Sequence, residues 1–95
     1  KNYDEKVVRQ ISKVAWRKRS TIEGRITSIA ASTIASAPMV SIEVWDASAG
    51  LTLQFLGRRE IAGIKVGSVI RAYGMVGEYK GALTIANPTY EIIKS

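Results

Sequence analysis

The side chains of this chain that are able to do chemistry are aromatic and basic rather than catalytic. The 95 residues include no His and no Cys, so a histidine base, a cysteine nucleophile and the usual transition-metal ligands are missing. The six carboxylates of residues 20–95 stand singly, without the spacing of an acid/base pair or a metal site. Gly57, Gly63 and Gly67 do not form a phosphate-binding GxxxxGK loop. These patterns predict a protein that is not an enzyme and that has no metal or cofactor.

Two aromatic side chains, Trp45 and Tyr79, could stack on nucleobases, an interaction that contributes roughly 1–3 kcal/mol per base. Either could instead be structural, with Trp45 closing a sheet edge or packing beneath the amino-terminal segment and Tyr79 simply exposed at a turn. Arg58 could contact a phosphate, or could brace the fold by pairing with Asp46 or Glu60. The other candidates are four basic side chains for phosphates, which could equally be solvated strand faces, and one amide for a base edge: Arg59, Lys80, Arg25, Arg71 and Gln54.

The elements that must position these residues are short β-strands. From Ser20 onward, apolar and polar residues alternate in five segments separated by turn-forming residues, the period-two pattern of strands with one buried face. The inward positions predicted for strands 2 to 4 are Val40, Ile42, Val44, Leu51, Leu53, Phe55, Ile70, Ala72, Gly74 and Val76. The outward positions are Ser41, Glu43, Trp45, Thr52, Gln54, Leu56, Arg71, Tyr73 and Met75. Five such strands in so short a chain predict an all-β, five-stranded Greek-key barrel of the oligonucleotide-binding (OB) type.

The connections between these strands differ in composition. Gly24, inside the first strand, predicts a sharp bend. Residues 30–38 are small and uncharged and end in proline, which predicts a flexible loop between strands 1 and 2. The segment after strand 3 is short and contains Gly63, so we expect a turn there and not a helix. Residues 78–81 predict a hairpin, and the Asn-Pro pair at 87–88 should interrupt the last strand.

The amino-terminal segment, residues 1–19, is strongly basic. Seven basic and two acidic residues give it a charge of +5, whereas residues 20–95 carry only +1. We call residues 1–19 the leader and residues 20–95 the barrel domain. The charge fits a polyanion partner or a solvated basic helix face.

An amphipathic helix is predicted over about residues 3–16 of the leader by apolar residues at helical spacing: Tyr3, Val7, Ile11 and Val14. The apolar face of this helix should pack on the barrel, on a protein partner or on a second copy of the chain. Trp16, near the junction of the two segments, could plug the open end of the barrel.

Several stretches of the sequence resemble a known family. They are the turn and strand at 46–59, which end in Leu-Gly-Arg-Arg, the Ile-Ala-Gly-Ile run at 61–64, the glycines at 67 and 74, and Asn-Pro-Thr-Tyr at 87–90. Over about residues 14–93 the chain resembles the small OB-fold proteins of actinobacteria and, more remotely, the wedge-type barrel of branched-DNA helicases. Ala47 and Ala49 stand where that family usually has Gly, and its often basic loop between strands 1 and 2 is neutral here. The resemblance implies an OB fold and nucleic-acid binding.

The sequence therefore predicts non-catalytic binding of single-stranded DNA or RNA, with little sequence preference, on the outer face of strands 2 and 3 and the loops beside it. The alternative is a protein-interaction or spacer module within a larger assembly, which the low charge of the barrel and the outward Glu23 and Glu43 favour. No apolar run approaches the roughly 20 residues of a membrane span, so no membrane association is expected. The lack of Cys fits a reducing, cytoplasmic location.

Overall fold

The computed structural model of the protein describes residues 7–95, in which nearly all regular structure is β-strand. Alternating apolar residues form strands here because one face of each strand packs on a shared core. A three-residue 3-10 turn, Ile11–Lys13, precedes the first strand. The strands are β1 (Arg19–Ile34), β2 (Ala37–Trp45), β3 (Gly50–Leu56), β4 (Val69–Tyr79), β5 (Ala82–Ala86) and β6 (Thr89–Lys94).

The strands close into a barrel. Antiparallel pairing joins β1 to β2 and β2 to β3, parallel pairing joins β3 to β5, and β5 pairs antiparallel with β4. The first half of β1 pairs with β4, which closes the barrel, and β6 pairs with the other edge of β4. This order confirms the predicted five-stranded Greek-key barrel. The fifth strand is split into β5 and β6 at Asn87 and Pro88.

The core lies inside the barrel and consists of inward residues from β1 to β5. Its fully buried side chains include Ile22, Ile42, Leu53, Ile70 and Ile85. Burial confirms the predicted inward and outward faces of β2, β3 and β4, with one difference at Gln54. Gln54 is outward by register, but it lies between Ser41 and Ala86 in the middle of the sheet and is only 6% exposed.

The first strand changes its pairing partner along its length. Residues 19–25 pair with β4, and residues 25–34 pair with β2. At Gly24 the backbone of β1 approaches the backbone of Trp45 so closely that a side chain would not fit between them. The bend predicted at Gly24 is thus the place where β1 passes from one neighbour to the other.

The flexible loop predicted for residues 30–38 is wrong. The first strand continues to Ile34 and the second begins at Ala37, so the two form a long antiparallel ribbon joined by Ala35 and Ser36. Both turn residues have positive φ, 50° and 69°, as in a type I′ hairpin turn. The small side chains that indicated a loop fit in strands here because backbone hydrogen bonds hold the ribbon together. The exposed part of the ribbon does not need side chains that pack on the core.

The helix predicted over residues 3–16 is wrong wherever the structure describes it. Val8 forms a parallel bridge with Thr21, and the Arg9 N–H donates a hydrogen bond to the Thr21 carbonyl at 2.8 Å. Only a single 3-10 turn, Ile11–Lys13, follows. Backbone groups of this segment therefore bond to the edge of β1 and not to each other, as they would in a helix. The first turn of the predicted helix lies outside the described residues.

Ile11 fills the end of the barrel, the role that the sequence had suggested for Trp16. Ile11 is fully buried in the core, and Val14 packs against the same cluster, whereas the Trp16 indole is 54% exposed. The Arg17 guanidinium lies over the Trp16 ring, 4.4 Å from its centroid. The suggestion for Trp16 is therefore wrong, because Ile11 and Val14 already occupy the space.

Asp46 joins the leader to the turn between β2 and β3. Its Oδ2 accepts a hydrogen bond from the Ile11 N–H at 2.8 Å. Its Oδ1 accepts hydrogen bonds from the Ser48 N–H, the Ser48 hydroxyl and the Ala49 N–H. Partial burial acts to raise the pKa of Asp46, but together the four hydrogen bonds to the charged form hold this pKa below its ordinary value of 3.8.

Asp46→Asn should lower the free energy of unfolding near pH 7 by about 1–3 kcal/mol, because the amide NH2 must face one of the four donors. The folded-state pKa of Asp46 lies below the unfolded one, so its stabilisation is present above the unfolded pKa and is lost as the pH falls through the folded pKa. Urea unfolding from about pH 7 to pH 2 should therefore show the two proteins converging in acid. Glu60→Gln, which neutralises an exposed carboxylate, is the control and should follow the wild type. A gap for Asp46→Asn that stays constant with pH would contradict this assignment.

The segment between β3 and β4, residues 57–68, contains turns and no helix, as the sequence predicted. Ile61 is buried and Ile64 packs against the core, near Val40. Because Val40 and Asp46 lie towards opposite ends of β2, this segment covers the end of the barrel away from the leader.

Within residues 7–95, no helical structure has the length or apolar character needed to cross a bilayer.

Candidate nucleic-acid interface

Four strands align their outward residues in rows across one surface of the barrel, which we call the four-strand face. One row, with a residue from each of β2, β3, β5 and β4, is Glu43, Thr52, Thr84 and Gly77. Two residues further towards the β2–β3 turn, Trp45 pairs with Gly50, and on the other two strands Tyr79 pairs with Ala82. Trp45 and Tyr79 therefore both lie towards this end of the four-strand face, on its two outer strands, β2 and β4.

The four-strand face carries a shallow groove beside Tyr79. This cleft of ≈ 290 Å³ is lined by Gln54, Met75, Gly77, Glu78, Tyr79, Thr84 and Ala86. Trp45 lies on the same face outside this lining, where a Cβ placed on Gly50 would lie 2.5 Å from Cε2 of Trp45, so the indole covers this glycine. Trp45 and Tyr79 remain 47% and 37% exposed. Each ring is therefore a surface on which a planar group can stack.

The charges of the four-strand face do not by themselves favour a polyanion. Glu43 is exposed on β2, and Glu78 lines the cleft. Lys80, in the hairpin between β4 and β5, has its Nζ 5.4 Å from the centroid of the Tyr79 ring. With two carboxylates and one ammonium group, this face is suited to stacking and apolar contact more than to charge attraction.

Four of the predicted site residues meet on this face. Trp45, Gln54 and Tyr79 lie on it, and Lys80 lies at its edge. Gln54 is mostly covered, so only a small part of its amide can be reached from the cleft. Arg25, Arg58 and Arg59 lie at the margins of this face, and Arg71 lies elsewhere on the barrel.

Arg58 and Arg59 follow β3 directly, at the end of the four-strand face opposite to Trp45. Both side chains are exposed. The brace between Arg58 and Asp46 is not formed, since that carboxylate accepts four other hydrogen bonds. Within residues 7–95, Arg58 also makes no ion pair with Glu60. Both guanidinium groups are therefore accessible to an anion at this end of the face.

Arg25 pairs with Trp45 between β1 and β2, so it adjoins the β2 edge of the four-strand face, whereas Arg71 lies away from this face, between β1 and β6. Arg25 Nη1 donates a hydrogen bond to the Gly67 carbonyl at 2.7 Å, near the start of β4. Arg71 Nη2 lies 3.0 Å from Oε1 of Glu23, and its Nη1 lies 3.9 Å from Oε2 of Glu91. Both side chains thus have partners on the surface formed by β1, β4 and β6.

The same architecture occurs in solved structures of other proteins. The chain is similar to a domain of replication protein A from Methanococcus maripaludis, with a TM-score of 0.79 and 16% identity over 94% of this chain and 98% of that one. The fold is an OB barrel. Similar OB barrels occur in the replication factor A related protein from Methanobacterium thermoautotrophicum (TM-score 0.68, 18% identity, 97% of this chain and 96% of that one). RecG bound to a three-way DNA junction is also similar (TM-score 0.77, 15% identity, 97% of this chain and 13% of that one).

At these identities, the likeness shows the OB fold alone. No protein-family model matches the sequence, and no curated protein matches it. Among residues 7–95, no group of acidic side chains is arranged to hold a metal ion.

Sequence reasoning missed part of the groove on this OB barrel. Thr84 and Ala86 were not assigned to it, because the parallel pairing of β3 with β5 joins segments that are far apart in the chain. Leu56 and Met75 were predicted to face outward, and they are 45% and 46% exposed. An apolar residue at an outward position of a strand was therefore the sequence signal that could have assigned them to the binding face. Arg19, which pairs with Met75 at the margin of the groove, could not be placed without the closure of β1 on β4.

Proposed function

We propose that this OB barrel binds single-stranded DNA or RNA, with little sequence preference, on its four-strand face. The observation that carries the proposal is the pair Trp45 and Tyr79, both exposed towards the same end of that face. Aromatic rings stack on every base because every base has a π-face, so such a site holds a strand without reading its sequence. A duplex keeps its bases stacked inside, so it should bind this face more weakly.

Two further considerations support this proposal. In OB barrels the face of strands 2 and 3 and the connections after strands 1 and 4 bind oligonucleotides, and here those connections are the hairpins at 35–36 and 80–81. The solved structures with this fold include a replication protein A domain and RecG bound to a three-way DNA junction. Arg58, Arg59 and Lys80 would contact phosphates in this arrangement. Arg25 and Arg71 would act only through their charge.

Trp45→Ala should weaken binding of a labelled oligo(dT) by about 5- to 150-fold, because loss of one stacked base costs roughly 1–3 kcal/mol. Fluorescence anisotropy at low and near-physiological salt measures the Kd, with DNA, RNA and duplex oligomers compared. Trp45→Phe should lose less affinity, since it keeps a ring.

Ile93→Ala is the matched control for this experiment, because it truncates another exposed apolar side chain, on β6 and outside the groove. Its Kd should equal that of the wild type. Unchanged affinity of Trp45→Ala would exclude the groove, and equal affinity for single strands and duplex would exclude stacking as the mode of binding.

A protein-interaction module is the second candidate function. Leu56 and Met75 are exposed apolar side chains in addition to Trp45, and Glu43 and Glu78 lie on the same face. Such a surface also suits an apolar or basic segment of a protein partner. A purified protein that binds no nucleic acid even at low salt would favour this candidate.

A further inference from the structure

The described part of the leader, residues 7–19, contains five basic residues and no acidic one. Four of these side chains line a cleft of ≈ 320 Å³ together with Ala15 and Ser20: Arg9, Lys13, Lys18 and Arg19. All four are exposed, and within residues 7–95 none of them forms an ion pair. We call this the basic cleft; among residues 7–95, no carboxylate lines it.

Backbone groups, and not these side chains, hold the basic cleft in place. The Arg9 N–H donates a hydrogen bond to the Thr21 carbonyl at 2.8 Å. On β4, the Val76 carbonyl accepts from the Arg17 N–H at 2.7 Å, and the Val76 N–H donates to the Lys18 carbonyl at 2.9 Å. Four like charges around one cleft repel each other, so this arrangement opposes folding and favours an anion. The cationic groups are therefore left for a ligand.

The basic cleft adjoins the groove on the four-strand face. Arg19 pairs with Met75 between β1 and β4, and Met75 lines the groove. Adjacent strands are about 4.8 Å apart, so Arg19 lies one strand spacing beyond the margin of the groove. The groove itself is lined by Glu78 and, among the described residues, by no cation, so a strand that passes Met75 moves from this groove to the four cations of the basic cleft.

We propose that the basic cleft binds the phosphodiester backbone of a nucleic-acid strand as that strand leaves the four-strand face past Met75. This inference rests on the proposed function and adds to it a second region of contact. The two guanidinium groups can each bind phosphate oxygens through two parallel hydrogen bonds, and the two ammonium groups add point charges. The groove then supplies stacking and the leader supplies most of the salt-dependent attraction.

The test uses oligo(dT) of about 4 and about 12 nucleotides, which lie within the range of site sizes for one OB fold. The double variant Lys13→Gln, Lys18→Gln removes two charges from the cleft. Neither lysine side chain has a bonding partner among the described residues, so the fold should not change. For the longer oligomer, the slope of log affinity against log salt should become shallower by about 1.4, since each single-strand phosphate contact contributes about 0.7. The shorter oligomer, which fills the groove alone, should bind the variant and the wild type equally.

The matched control is the double variant Lys65→Gln, Lys94→Gln, which removes the same charge from exposed positions outside the cleft. It should leave the salt slope unchanged. A cleft variant that behaves like this control overturns the inference and leaves the groove intact. Equal weakening for both oligomer lengths also overturns it, because the charge would then act only at a distance. A wild type that binds neither oligomer at low salt overturns the proposed function and this inference with it.

A second measurement uses the unaltered protein and so does not depend on how a variant folds. In NMR spectra, the amide signals of Lys18 and Arg19 should shift with the longer oligomer and not with the shorter one. The Trp45 indole signal should shift with both. A shift of the indole without a shift of the leader amides, at saturating longer oligomer, would overturn the inference.

Discussion

Gly24→Ala should lower the free energy of unfolding by about 3 kcal/mol or more, because the added carbon meets strand backbone as well as a side chain. A Cβ at this position would lie 2.6 Å from the carbonyl oxygen of Trp45 and 2.6 Å from Cγ1 of Val44. The Val44 side chain can rotate, but the Trp45 carbonyl moves only if β2 moves with it. Since β1 changes its pairing partner here, that movement separates the strands whose contact closes the barrel. Thermal unfolding followed by circular dichroism should show a Tm lower by about 12 °C or more.

Gly77→Ala, on β4, is the matched control for this substitution. Its Cβ would have only the Thr84 carbonyl oxygen nearby, at 3.8 Å, which is an ordinary contact. The free energy of unfolding should stay within about 1 kcal/mol of the wild type, because alanine also restricts the unfolded chain. A Gly24→Ala protein as stable as Gly77→Ala would contradict the close approach of β1 and β2.

Ile11→Ala should lower the free energy of unfolding by about 2–5 kcal/mol, the usual cost of truncating a fully buried isoleucine. The loss also loosens the end of the leader that Asp46 holds through the Ile11 N–H. Because the leader carries the basic cleft, affinity for the longer oligomer should fall more than affinity for the shorter one. Urea unfolding and anisotropy on the same preparation measure both effects.

Trp16→Ala is the control for Ile11→Ala, because the comparison tests which of the two side chains fills the end of the barrel. It removes a larger side chain than Ile11→Ala, but that side chain is 54% exposed. The free energy of unfolding should change by no more than about 1 kcal/mol. The opposite order of stability, with Trp16→Ala the less stable protein, would mean that the tryptophan fills the end of the barrel.

The direction of most strand residues could be predicted because alternation is a local property. Ile42 and Val44 need a buried face, so Trp45, the residue after Val44, must point the other way. The same argument placed Leu56 and Met75 outward, and burial agrees. The number of strands and their order along the chain followed from the same alternation and from the turns between them.

Two of the three wrong predictions share a physical cause, which is that local patterns do not specify backbone partners. Apolar residues spaced as in a helix led to the helix over residues 3–16, but the free edge of β1 binds Val8 and Arg9 instead. Small residues at 30–38 indicated a loop, but pairing of β1 with β2 makes them strands. The boundary at residue 19, the roles of the site residues and the preference for single strands stay predictions until they are measured.

The amino-acid sequence alone determined that the chain is a small β-barrel without His or Cys, that Trp45 faces outward and that positive charge is concentrated in the leader. These properties depend on residue type and on a period of two, and both are present in any short stretch of chain. Only the tertiary structure decided that Trp45 and Tyr79 lie on one face of the barrel, and that the leader's cations surround a cleft beside that face. Those relations depend on the parallel pairing of β3 with β5 and on the closure of β1 against β4, contacts between distant segments that no local pattern encodes.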